Sequence, residues 1–159
     1  MISGFVNKME TLFSGREKIV IVGHFNPDGD SVGSVTAMHH FLKALELPST
    51  AIFPSSYPEY LSFLDKDDDY QIFTHKPEMV AGSIKESDLI ICLDFNNLGR
   101  TEGLKDLISK SDAPKILIDH HPSPEVESFD LVCSTVNTSS TCELLFYVLM
   151  ETSLIGNDI

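Results

Sequence analysis

The chain has 159 residues, is 42% hydrophobic and carries a formal net charge of −13. That length and apolar content suffice for one domain with a buried core. The acidity speaks against passive binding to long nucleic acid such as double-stranded DNA, which needs Lys and Arg to displace counterions, but leaves room for a small phosphorylated substrate.

In chain order, an amphipathic helix lies between Gly4 and Gly15. The first strand is the β-branched run at 18–23, and a loop from His24 leads into a helix at 31–46. Val32, Val35, Met38, Leu42 and Leu45 share one face of that helix, and Pro48 forbids its continuation. Residues 50–53 read as a second strand ended by Pro54. A short helix at 58–64 gives way to the acidic run Asp65-Lys66-Asp67-Asp68-Asp69, a solvated turn without the Gly and Glu spacing of a calcium loop. Residues 70–73 follow as a short edge strand. The continuous apolar character of 89–93 and 116–118 marks central strands, with a helix at 104–110 between them and Thr101 as its candidate cap. Residues 129–133 form a further strand. Ser140-Thr141-Cys142-Glu143 is a capping box in which hydroxyl and carboxylate each satisfy a free backbone N–H, and its helix runs over 141–151. Strands alternating with helices indicate an α/β fold, a mostly parallel sheet of about five strands flanked by helices. No repeat, low-complexity tract or linker divides the chain.

Mean hydropathy is close to zero, and no apolar run approaches the roughly 18 residues that span a membrane. The first residues lack a basic stretch followed by an apolar one and a small-residue cleavage site, so no signal peptide is expected. Cys92, Cys133 and Cys142 are odd in number and sit in apolar or helical context. They read as buried free thiols, and the expected location is the cytoplasm.

The chemistry concentrates at strand ends. Asp119-His120-His121 follows the apolar run Lys115-Ile116-Leu117-Ile118. His24-Phe25-Asn26-Pro27-Asp28-Gly29-Asp30 follows Ile19-Val20-Ile21-Val22-Gly23, and Asp94 follows Leu89-Ile90-Ile91-Cys92-Leu93. In a parallel α/β sheet, ligands bind at the carboxyl ends of strands, so these groups converge on one rim. Imidazole with carboxylates suits manganese, iron, zinc or cobalt, and oxygen-rich octahedral surroundings favour manganese or magnesium. Asp28 and Asp30 lie on one side of an extended stretch and can serve adjacent metals. Taken alone, the first cluster also reads as an Asn-Pro-Asp-Gly turn with Asp30 as a helix cap. Asp94 at the end of an apolar strand is costly without a partner, which a bridging position between two cations supplies. Of His120 and His121, one can bind metal while the other faces substrate or an orienting carboxylate. His39-His40 and His75 read as packing or solvated residues.

Together these residues resemble the DHH phosphoesterase superfamily, in its branch of oligoribonucleases and phosphoadenosine-phosphate phosphatases. His24-x-x-x-Asp28-x-Asp30-Ser31-x-Gly33-Ser34 is similar to the first motif, Asp94 with Arg100 to the second, and Asp119-His120-His121 to the third. Ser139-Ser140-Thr141-x-Glu143 is similar to the stretch leading to the next helix. The resemblance implies a Rossmann-like three-layer fold and a two-metal manganese site, with magnesium or cobalt as alternatives. His24 and Asp28 would bind one ion, Asp30 and His120 the other, and Asp94 would bridge them. Asp119 and His121 would be phosphate-facing or stand behind the ligands, with His121 assisting protonation of the leaving group, and Arg100 would face a substrate phosphate. The implied substrates are phosphoadenosine phosphate or short oligoribonucleotides; pyrophosphate hydrolysis and a non-catalytic nucleotide- or metal-binding fragment are the alternatives. The family's fourth motif and its DHHA1 domain are not found, so residues 1–159 read as a DHH catalytic-type domain incomplete at its C-terminus. Asp158 lacks the strand context to substitute, the first metal site is expected to be the weaker, and association into a homodimer is expected over any uncovered surface.

Overall fold

The computed structural model describes residues 2–67 and 69–154. Its strands are β1 (Ile19–Val22), β2 (Ser49–Phe53), β3 (Gln71–Ile72), β4 (Leu89–Leu93), β5 (Lys115–Asp119) and β6 (Leu131–Ser134). The helices are α1 (Ile2–Phe13), α2 (Gly29–Ala44), α3 (Pro77–Glu86), α4 (Lys105–Ser109) and α5 (Thr141–Met150), with 3-10 turns between them. All the strands pair in parallel, in the order β3-β2-β1-β4-β5-β6. Among the described residues the sheet thus has six strands against an expectation of about five, and the short edge strand expected at 70–73 is present as the two-residue β3.

Parallel strands covered on both faces must be apolar on both, which is why β1 and β4 are unbroken aliphatic runs. Ile19, Ile21, Ile91, Leu93, Ile116 and Ile118 pack with α1, α2 and α5. Val20, Val22, Ile90, Cys92 and Leu117 pack on the opposite face with α3 and α4. This is the two-residue alternation of a pleated strand, and each buried aliphatic side chain contributes about 1.5–3 kcal/mol.

Pairing β1 with both β2 and β4 makes the sheet doubly wound. The chain leaves β1 towards one edge through β2 and β3, then returns to β4 and proceeds to the other edge. The loops after β1 and β4 therefore part at the switch point, opening a crevice at the carboxyl ends of the strands.

Several local expectations are corrected. Helix α2 begins at Gly29, two residues before the expected start, because Asp28 caps it by accepting from the backbone N–H groups of Asp30 and Ser31. Asp28 and Asp30 accordingly flank a helix start rather than lying along an extended stretch, and Asp30 is not the cap. Thr101 caps nothing: its hydroxyl donates to the Leu98 carbonyl inside a 3-10 turn, and α4 follows a break at Glu102, φ 47°. Ser140 does cap α5 by accepting from Glu143 N, but the Glu143 carboxylate accepts from Ser139 rather than from the cap residue. Helix α3 was not expected. It buries only Val80 and Ile84, too few apolar positions to register as a periodic stripe. Asp68 and Asp158 lie outside the described residues.

Candidate metal centre

The centre is built from four loops at the carboxyl edge of the sheet. The first begins at Gly23, where an added Cβ would stand 2.7 Å from Ser31 Oγ and 2.8 Å from the buried Phe53 ring. Glycine is therefore required there, and Ser31 Oγ uses the space to accept from His24 N at 3.2 Å. The His24 ring is almost wholly buried. Its Nδ1 lies 2.8 Å from the Phe25 carbonyl. A carbonyl only accepts, so Nδ1 carries the proton and the Nε2 lone pair faces Asp94 and Asp28. That is how imidazole ligands are oriented in metal sites.

Asp94 directly follows β4 in the left-handed region, φ 68°. A non-glycine residue reaches that conformation at a cost of about 1–3 kcal/mol, and such strain clusters at functional sites. The side chain is 2% exposed and splits its oxygens: Oδ2 is 3.5 Å from His24 Nε2, and Oδ1 is 3.7 Å from His120 Nε2. Asp28 Oδ1 is 3.9 Å from His24 Nε2, and Asp30 Oδ2 is 3.6 Å from His120 Nε2. Donor atoms held about 2.1 Å from a shared cation lie about 3–4 Å apart, so each spacing fits an ion between the partners. Two donor groups result, His24 with Asp28 and Asp94, and His120 with Asp94 and either Asp30 or His121.

Electrostatics point the same way. Burial and the neighbouring Asp30 charge hold the Asp94 carboxyl above the usual range, against the hydrogen bonds from His24 and Thr141. Burial also acts to raise Asp30, but hydrogen bonds from Cys142 and Thr141 prevail and lower it. Burial would depress His24, yet the Asp94 carboxylate, the Phe25 carbonyl and the Asp28 charge together raise it. Among the described residues no lysine or arginine pairs with these carboxylates. Clustered acids without a basic counter-ion fit a bound divalent cation, which reverses the local repulsion.

The structure thus brings together His24, Asp28, Asp30, Asp94, His120 and His121. His121 Nδ1 is 2.7 Å from Asp119 Oδ1, leaving Nε2 towards the half-open side of the site. Asp119 is fully buried, and its Oδ2 has no hydrogen-bond partner. Arg100 is exposed, and its carbonyl accepts from Phe25 N at 2.8 Å, tying its loop to the His24 loop. Its guanidinium forms no ion pair among the described residues.

Sequence reasoning missed Thr141. Its N–H donates to Asp30 Oδ2 and its hydroxyl to Asp94 Oδ1, each at 2.8 Å, while Cys142 N donates to Asp30 Oδ1 at 2.8 Å. The available signals were its position at the start of a capped helix and its place in Ser139-Ser140-Thr141-x-Glu143, neither of which names its partners. The other histidines lie outside the cluster: His39 bonds Ser49 and lies edge-on to Tyr70, His75 bonds Ser56, and His40 is exposed.

Residues 18–158 match the model of the DHH family, N-terminal domain. The chain is similar to the bifunctional oligoribonuclease and PAP phosphatase NrnA of Mycoplasma pneumoniae, 26% identical over 124 residues, covering 77% of this chain and 36% of that protein. It is similar also to the NrnA of Mycoplasma genitalium, 30% identical over 110 residues, covering 69% and 32%. The chain therefore spans about a third of the length of these curated relatives. An exopolyphosphatase-related protein from Bacteroides fragilis superposes with a TM-score of 0.91 at 33% identity, over 95% of this chain and 44% of that one. The exonuclease RecJ bound to manganese shares the fold, with a TM-score of 0.57 at 17% identity over 94% of this chain and 36% of its own. The motifs, the doubly wound sheet and the family match agree: the chain belongs to the DHH family and carries its N-terminal domain.

Proposed function

We propose that this chain is a metal-dependent phosphoesterase domain acting on short nucleotides, phosphoadenosine phosphate or oligoribonucleotides a few residues long. The observation that carries the reading is the divided Asp94 carboxylate, one oxygen towards His24 and the other towards His120. A carboxylate so placed would serve two cations, manganese being the expected metal and magnesium or cobalt the alternatives. His24 and Asp28 complete one side; Asp30 and His120 complete the other.

When bound, such cations would supply Lewis-acid polarisation of a phosphoryl group and a more acidic water. The protein's own residues supply the rest. With a proton on each ring nitrogen, His121, its Nδ1–H held by Asp119, donates from Nε2–H to a phosphate oxygen and delivers that proton to the leaving group. Arg100, exposed on the loop tied to Phe25, offers its guanidinium to a second phosphate. The acidic remainder of the surface repels long duplexes and favours short substrates. The NrnA relatives are named for these two substrate classes and come from bacteria, which supports the substrate assignment and a bacterial cytoplasmic setting.

A second reading, hydrolysis of a phosphoanhydride such as pyrophosphate, draws support from the Bacteroides protein named as exopolyphosphatase-related. The test is manganese-dependent phosphate release from phosphoadenosine phosphate, a short oligoribonucleotide and pyrophosphate, beside an Asp94→Ala control. Turnover of the nucleotides alone supports the first reading and turnover of pyrophosphate alone the second. Binding without turnover of any of them leaves a non-catalytic nucleotide- or metal-binding domain.

A further inference from the structure

We propose that Thr141 is the positioning residue of the second half of this centre, the half formed by Asp30, Asp94 and His120. The inference rests on the metal-site reading above and deepens it. Thr141 is fully buried at the first position of α5, and its two donors reach across 111 and 47 residues of chain. Its N–H takes Asp30 Oδ2 and its hydroxyl takes Asp94 Oδ1. These are the same two oxygens that lie 3.6 and 3.7 Å from His120 Nε2. The first half instead uses Asp28 Oδ1 and Asp94 Oδ2, which Thr141 does not touch. One residue thus fixes both oxygen ligands of one site and neither acting oxygen of the other.

The helix start makes this possible. Asp30 occupies the N-terminus of α5, where free N–H groups and the helix dipole favour an anion, and the Cys142 N–H holds its other oxygen. Close approach of α5 to α2 depends on Gly33, where a Cβ would stand 3.0 Å from Cys142 Sγ. Each carboxylate oxygen accepts through one lone pair and keeps another for a cation, so the hydroxyl sets the direction of the bridging Asp94 oxygen without consuming it. Removal of the hydroxyl frees that direction at one site only.

The test is manganese(II) binding to the full chain, followed by electron paramagnetic resonance and calorimetry, for wild type, Thr141→Val and Thr141→Ser. The same series is repeated in an Asp28→Asn background, which weakens the first half and retains a capping residue for α2. Groups that hold a ligand in place typically contribute about 10–100-fold in metal affinity. The expected result is a loss of that size in one class of site for Thr141→Val, loss of the binding that remains in the Asp28→Asn background, and recovery with Thr141→Ser. Wild-type affinity in Thr141→Val overturns the proposal. Equal weakening of both classes, with a lowered Tm and no recovery in Thr141→Ser, also overturns it and assigns the residue to packing alone. A wild-type chain that binds no manganese overturns the metal-site reading itself, and this inference with it.

Discussion

Asp119 and His121 face each other across a single residue, Oδ1 to Nδ1 at 2.7 Å, with the carboxylate fully buried and the imidazole half-exposed. Asp119 holds the last position of β5, where the strand register against β6 fixes it beside Ser134. Its partner lies on the loop beyond, so the rigid sheet orients a ring on a mobile class of element. Asp119 thereby holds a proton on His121 Nδ1 and leaves Nε2 as the nitrogen that the proposed proton-donating role uses.

Replacing Asp119 with Asn keeps the shape and removes the charge. The expected outcome is a fall of about 10–100-fold in kcat for phosphate release, with manganese stoichiometry unchanged. Steady-state kinetics beside a metal titration check this. An unchanged kcat, or loss of metal instead of rate, counts against the assignment of His121.

Gly23→Ala tests the His24 loop. The new Cβ meets Ser31 Oγ at 2.7 Å and the Phe53 ring at 2.8 Å, and that ring is fully buried and cannot retreat. Overpacking of this kind costs about 1–3 kcal/mol, read as a lower denaturant midpoint. Since Ser31 Oγ also holds His24 N, manganese affinity falls with it. A stable variant with unchanged affinity would mean that the loop tolerates displacement.

Metal removal destabilises the folded chain, because the carboxylates and imidazoles converge only on folding. At free manganese about 100 times Kd the stabilisation is about 2.7 kcal/mol, or a Tm higher by about 5–10 °C in a domain of this size. Thermal melts with manganese and with a chelator measure it. Identical Tm values in the two conditions contradict a site formed by the fold.

His39 supplies a pH dependence away from the centre. Burial lowers its pKa, against the opposing charge of Asp69 and in concert with His40 and Lys43. The unfolded chain protonates at about 6.5, so just below that pH the unfolded state binds more protons than the folded one. The contribution is therefore present above about 6.5 and lost as pH falls from there towards the depressed folded value. In metal-free protein, the Tm difference between wild type and His39→Gln should narrow between pH 8 and pH 5. A difference that stays constant across that range refutes the shift.

The sheet was largely legible because its central strands are buried on both faces. Continuous aliphatic runs such as Ile19-Val20-Ile21-Val22 carry that signature, and their polar terminations marked where ligands gather. Helix α3 was not legible, since two buried residues around Gly82 make no stripe. The break at Glu102 lies at a positive φ of 47°, a conformation that the residue type does not announce. Thr141 escaped for a different reason: its partners Asp30 and Asp94 are distant in sequence. The contacts exist only because α5 docks beside α2, a tertiary event no local pattern encodes.

The most direct measurement is manganese binding to the metal-free chain by titration calorimetry, with wild type beside Asp94→Asn. A carboxylate that serves both His24 and His120 predicts that this one substitution weakens every class of manganese site by more than about tenfold. Wild-type affinity in the variant, or loss confined to a single class, would contradict a shared centre.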